Sequence, residues 1–198
     1  MSIPPDIGGD PDWVFRLPPN FVDLSPDIYF DDEIFLATSR VTFILPTVWQ
    51  YAQSPALHLP VSVGVDHITL VILPSPTITT VDSSRCWKEH PDEWLGFPAE
   101  FIYTSYRDRT CTMRIVGAEH LGFTPAELSR RAAVYFARWQ LSESQKHRFS
   151  FLRFEEWLDD QEPGAIFRLE EEEELRRESR EMIRLGAEYD AAQAASGT

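Results

Sequence analysis

The chain has 198 residues, is 43% hydrophobic with 13% aromatic residues, and carries a formal charge of −14. That length suits one domain with extensions, and the apolar content supplies a core, which excludes a wholly disordered chain. No apolar run reaches the roughly 18–20 residues of a bilayer span; the longest, Val61 to Leu73, is broken by Asp66 and His67, so the sequence reads as soluble, with no membrane among its partners.

The amino-terminal stretch Met-Ser-Ile-Pro-Pro-Asp-Ile-Gly-Gly-Asp has neither the basic start and apolar segment of a secretory signal nor the arginine-rich pattern of a transit peptide. Residence in the cytoplasm or the nucleus is expected, and there a disulfide between Cys86 and Cys111, the two cysteines, is not. Charge is unevenly spread. Residues 1–33 carry eight acids against Arg16, residues 155–198 fourteen acids against five arginines, and residues 34–154 ten acids against twelve bases. Two acidic flanks therefore enclose a nearly neutral centre, and such flanks repel phosphate backbones at long range.

The first 33 residues hold six prolines, which fix φ and remove amide donors, so a long helix or a central strand is ruled out there. An extended arm anchored by Trp13, Phe15, Phe21 and Tyr29 is expected. From Ile34 to Leu45 the chain is rich in β-branched and aromatic residues and stops at Pro46, which predicts one or two strands. Val61 to Leu73 alternates at first and then becomes continuously apolar, the mark of a central strand buried on both faces at its end. Glu100–Tyr106 and Thr110–Val116 flank the polar link Arg107-Asp-Arg109 and read as a hairpin, with Cys111, Met113 and Ile115 on its inner face.

Thr124, Pro125 and Glu127 then supply an N-cap, a first-turn proline and the far corner of a capping box. Leu128, Ala132, Tyr135, Phe136 and Trp139 follow as one stripe, which predicts an amphipathic helix on a sheet. Residues 146–154 are ambiguous between strand and helix, and a helix is expected through Glu155–Asp160. Beyond Pro163-Gly164, Leu175, Met182 and Tyr189 recur every seven residues, with Glu172 and Glu173 four residues before Arg176 and Arg177. A solvated acidic helix is predicted there. No repeat of 20–50 residues is found, which counts against a solenoid.

The expected fold is α+β: a mostly antiparallel sheet over about residues 34–116, C-terminal helices packed on one face, and the solvated acidic helix. The corresponding division is an acidic proline-rich arm at 1–33, a single α+β domain at 34–162, and an acidic helix with frayed tail at 163–198.

Three groups of residues carry candidate chemistry. Cys86, His90, Cys111 and His120 form a set of two thiols and two imidazoles with the ligand count of zinc, although only the first pair has the tight spacing of a zinc knuckle. Buried thiols beside ordinary loop residues explain the same letters, and Trp87, Trp94 and Phe97 would anchor the loop Ser84–Pro98 by apolar contacts. The strand Val65-Asp-His-Ile-Thr-Leu-Val-Ile-Leu-Pro74 resembles the opening strand of vicinal oxygen chelate enzymes. That resemblance implies a metal-ligand role for His67 alone, since Pro74, Pro76 and Pro91 lie where that family has its first helix and no second Asp-His copy follows. Arg130, Arg131, Arg138 and Arg148, with Lys146 and Arg153, make a basic patch that could hold RNA or a phosphorylated ligand, or be neutralised by Glu170–Glu174; the acidic flanks count against nucleic acid as a partner.

No phosphate-binding glycine loop, nucleotide fingerprint or glycine-flanked nucleophilic serine occurs. The reading is therefore a non-enzymatic interaction or adaptor protein with acidic flanking segments, a protein partner and no cofactor. The alternative is a small metal-binding protein or metal-dependent enzyme using Cys86 and His90, or His67, with zinc or another divalent ion.

Overall fold

The computed structural model describes residues 13–16, 39–45, 66–74, 112–121, 123, 124, 126–130, 133 and 149–196. Five strands are defined: β1 (Trp13–Arg16), β2 (Arg40–Leu45), β3 (His67–Ile72), β4 (Thr112–Val116) and β5 (Phe149–Leu152). They form one sheet in the order β1-β2-β3-β4-β5, and all four pairings are parallel. Two helices follow, α1 (Phe154–Asp159) and α2 (Leu169–Ser196).

This arrangement corrects the antiparallel expectation. The sheet extends from residue 13 to residue 152 rather than over 34–116, and it takes in part of the proline-rich arm as edge strand β1. The hairpin through Arg107-Asp-Arg109 is excluded because both edges of β4 are already paired, to β3 on one side and β5 on the other, each in parallel. The partner expected for it, Glu100–Tyr106, lies outside the described residues. The ambiguous segment divides at Arg153: Phe149–Leu152 is strand and Phe154–Asp159 is helix.

Strand order that follows chain order is the order of a solenoid or of a singly wound sheet. Under the right-hand rule for parallel connections, successive crossovers in such an order share a face. The two faces of this sheet are unlike. On one, Val41, Phe43, Ile68, Leu70, Ile72, Met113 and Ile115 are all buried. On the other, burial depends on height along the strands. Ile44, Val71 and Val116 at the carboxy-terminal end are buried beneath Phe154, Trp157, Leu158, Phe167 and Leu175, with Leu152 at the margin. One step earlier, Thr42 and Thr69 are half-buried, and Arg114 and Ser150 are exposed. This explains the sequence pattern of β3, His-Ile-Thr-Leu-Val-Ile: it alternates where one face is open and runs apolar where the C-terminal cap buries that face as well.

The cap is fixed by specific contacts. Phe154 and Trp157 of α1 and Phe167 before α2 form a tilted and an edge-on ring pair, with centroids 6.1 and 6.4 Å apart. Arg16 on edge strand β1 reaches across to the cap: its guanidinium donates to Glu171 Oε1 at 2.8 Å and to the Ile166 carbonyl at 2.7 Å, and it lies 4.6 Å from the centre of the Phe167 ring.

Helix α2 is not the solvated element expected. Leu175 and Ser179 are buried, and Arg176 and Arg180 pair with Asp159 and Glu155 of α1. Its later turns do conform to that expectation: Ile183 is 44% exposed, and Arg184 is bound by Glu181 and Glu188 of the same helix. The narrow seven-residue stripe underestimated burial because Ser179, a polar residue, is part of the buried line.

Candidate functional site

Two places in the structure gather chemistry-bearing side chains. The first is at the carboxy-terminal ends of β3 and β4, where open parallel sheets commonly bind ligands. After Val116 the chain turns through Gly117 at φ +80°, and a β-carbon there would meet the Ile72 carbonyl oxygen at 2.3 Å. Only glycine fits so close to that oxygen. The turn leads into a 3-10 segment, Ala118–Leu121, which inserts His120 between the sheet and α2. Nδ1–H of His120 donates to the Ile72 carbonyl at 2.8 Å, so Nε2 is the acceptor and receives the Ser179 hydroxyl at 2.7 Å. Phe154 stands edge-on to the imidazole at 5.3 Å. Burial pushes the His120 pKa down to about 4, opposed only in part by the bond to Ile72.

Neighbouring Glu119 caps α1: its Oε1 accepts from the Phe154 amide at 2.6 Å. Burial raises the pKa of this carboxyl, and its Oε2 is buried without a hydrogen-bond partner among the described residues. A serine hydroxyl bonded to a neutral imidazole has the bond pattern of a nucleophile and its base. Here, however, Ser179 is wholly buried and His120 nearly so. The arrangement ties α2 to two strands and presents no reactive atom to solvent.

The second place is the uncovered part of the sheet. Thr42, Thr69, Arg114 and Ser150 stand side by side on β2, β3, β4 and β5, continued by Val14 on β1. Neighbours across the sheet are roughly 4.8 Å apart, so these five positions span about 19 Å. One row earlier are Arg40, His67 and Thr112. Nδ1 of His67 lies 2.6 Å from Thr112 Oγ1. Arg114 is exposed and meets no acidic partner among the described residues, whereas Arg16, Arg176, Arg177, Arg180 and Arg184 are each paired with a glutamate or aspartate.

Of the residues singled out in the sequence, Cys86, His90, Cys111, Arg131, Arg138 and Arg148 lie outside the described residues, as does the loop Ser84–Pro98. His120, the described member of the zinc set, has both ring nitrogens engaged by Ile72 and Ser179. As placed, it has no nitrogen to offer a metal. His67, singled out by the chelate-enzyme resemblance, is exposed at the start of β3 and bonded to Thr112. Among the described residues, no three His, Cys, Asp or Glu side chains converge on a metal position. Arg130 is exposed on the helical stretch 126–130. That stretch begins as the capping signal required, with the Glu127 amide donating to Thr124 Oγ1 at 3.1 Å and Leu128 buried.

Sequence reasoning missed the row of Thr42, Thr69, Arg114 and Ser150. The signal was present: β2, β3 and β4 each read polar, apolar, polar, apolar, apolar, and β5 keeps the last four letters of that pattern. It escaped notice because the equivalent positions Val41, Ile68, Met113 and Phe149 are separated by unequal intervals of 27, 45 and 36 residues. No helix among the described residues is long and apolar enough to cross a membrane. No family model, curated protein or solved structure matches the chain.

Proposed function

We propose that this chain is a non-enzymatic interaction protein, an adaptor that holds a protein partner on the uncovered part of its sheet and resides in the cytoplasm. The observation that carries the reading is the polar row Thr42-Thr69-Arg114-Ser150 crossing four strands on a rigid parallel sheet. Side chains on paired strands are held in fixed spacing, so a partner meets a preformed surface and little ordering cost is incurred on binding. An exposed arginine between hydroxyls, with no acidic partner among the described residues, offers directional hydrogen bonds on that surface. The buried pair His120–Ser179 is read as a structural tie between α2 and the sheet rather than as a nucleophile and its base.

The test is quantitative affinity capture and cross-linking with the wild-type chain, Arg114→Glu and the control Arg184→Glu. A partner retained by the wild type and the control but lost by Arg114→Glu supports the reading. Capture indifferent to Arg114, together with about one equivalent of bound metal in the purified protein, would transfer the weight to the metal-dependent alternative through Cys86 and His90, or His67.

A further inference from the structure

Resting on the open-face reading just given, we infer the class of partner: a short acidic segment of another protein, with a carboxylate seated on Arg114. Three observations carry this. The guanidinium of Arg114 is exposed in a chain with 32 acids and 18 lysines and arginines, yet meets no acid among the described residues. Its row neighbours are Thr69 and Ser150, and the row before it holds Thr112 and His67. The side chains that flank the guanidinium along its row are thus the hydroxyls of Thr69 and Ser150, able to donate to an anion, while in the row before it the Thr112 hydroxyl is already engaged by His67 and the Asp66 carbonyl. A carboxylate over Arg114 would receive the two parallel N–H groups of the guanidinium fork, with the flanking hydroxyls available to its remaining lone pairs.

The occupant is a short peptide rather than a nucleic acid for two reasons. Single-stranded nucleic acid binding relies on aromatic platforms for the bases, and on this face the described exposed strand residues are Val14, Arg16, Arg40, His67, Arg114 and Ser150, with no Phe, Tyr or Trp. The chain's charge of −14 also repels every phosphate of a long polyanion within a Debye length of about 8–10 Å, whereas a segment with two or three carboxylates incurs that repulsion only locally.

The experiment measures binding of a fluorescein-labelled peptide containing three alternating glutamates to the full chain, by anisotropy, at low and high salt. A single-stranded RNA of equal charge serves as the competing probe. Saturable, salt-sensitive peptide binding is expected, weakened about tenfold or more by Arg114→Glu and Arg114→Gln, a few-fold by Ser150→Ala, and within about twofold of wild type for Arg184→Glu. Thermal melts check that each variant folds, and Arg114→Lys should recover part of the affinity by restoring charge without the fork. Peptide binding equal in Arg114→Glu and wild type overturns the proposal, as does tighter binding of the RNA. Failure of the peptide while protein capture still depends on Arg114 overturns only the acidic class. Loss of both dependences removes the open-face reading as well.

Discussion

His120 is the residue whose chemistry has the clearest consequence for stability. Its folded pKa of about 4 lies below the ordinary value near 6.5. Between those values the unfolded chain binds a proton that the native chain does not, so stability is complete above about pH 6.5 and falls as pH drops toward 4. The size of that fall is on the order of 3 kcal/mol. Glu119 acts in the opposite sense, because its raised pKa favours the native state most below its ordinary range and loses that contribution as pH rises. The two are separated by His120→Gln. Urea denaturation at pH 4.5 and 7 should show a large difference for the wild type and a much smaller one for the variant, at the cost of lower stability at pH 7. An equal pH dependence in the two proteins would locate the acid sensitivity elsewhere. His120 illustrates what the sequence conceals: it sits among Ala, Glu, Leu and Gly as any loop histidine would, and only the fold brings Ile72 and Ser179 to its two nitrogens.

At the scale of elements, α2 divides in two. Up to Ser179 it is part of the core, and Phe167 just before it is buried in the same cluster as Ile44, Val71 and Val116. After Met182 the described side chains are half-buried or exposed, and Gly186 has nothing within 4 Å of a β-carbon built on it. Ending the chain after Glu162 should abolish cooperative unfolding, because loss of Phe167 and Leu175 alone costs roughly 3–5 kcal/mol each against a total of about 5–15. Ending it after Leu185 should leave the thermal midpoint within a few degrees of the full chain. Circular dichroism melts of both truncations decide this, and a stably folded 1–162 fragment would contradict the packing. The acid–arginine alternation of α2 was legible in the sequence, but the pairs expected from it, Glu172 and Glu173 with Arg176 and Arg177, are replaced by Arg176–Asp159 and Arg177–Glu174, with Arg184–Glu188 further along. Its docking was not, because the pairs that hold its buried side, Arg176–Asp159 and Arg180–Glu155, join residues 17 and 25 positions apart.

For the whole molecule, the existence of strands at 40–45, 67–72 and 112–116 could be read from β-branched and aromatic runs, whereas their direction could not. Half-open strands alternate whether they are parallel or antiparallel, and here one face of a parallel sheet is open over part of its height, so the usual contrast with doubly covered parallel strands fails. The parallel order also governs how the chain reaches this structure. Each strand finds its nearest partner at least 27 residues away, from Val41 to Ile68, so every pairing must first close a long loop before any ladder bond forms. Refolding on the order of milliseconds to seconds is expected, and microsecond relaxation in stopped-flow and temperature-jump measurements would contradict it. The surface that receives α1 and α2 consists of Ile44, Val71, Val116 and Leu152, contributed by four different strands. It exists only once all four are aligned, so Leu70→Ala should slow folding while Leu175→Ala mainly accelerates unfolding. During synthesis the same dependence leaves an apolar strip on the nascent sheet unsheltered until Phe167 and Leu175 have left the ribosome, an interval in which a chaperone has a defined place to bind.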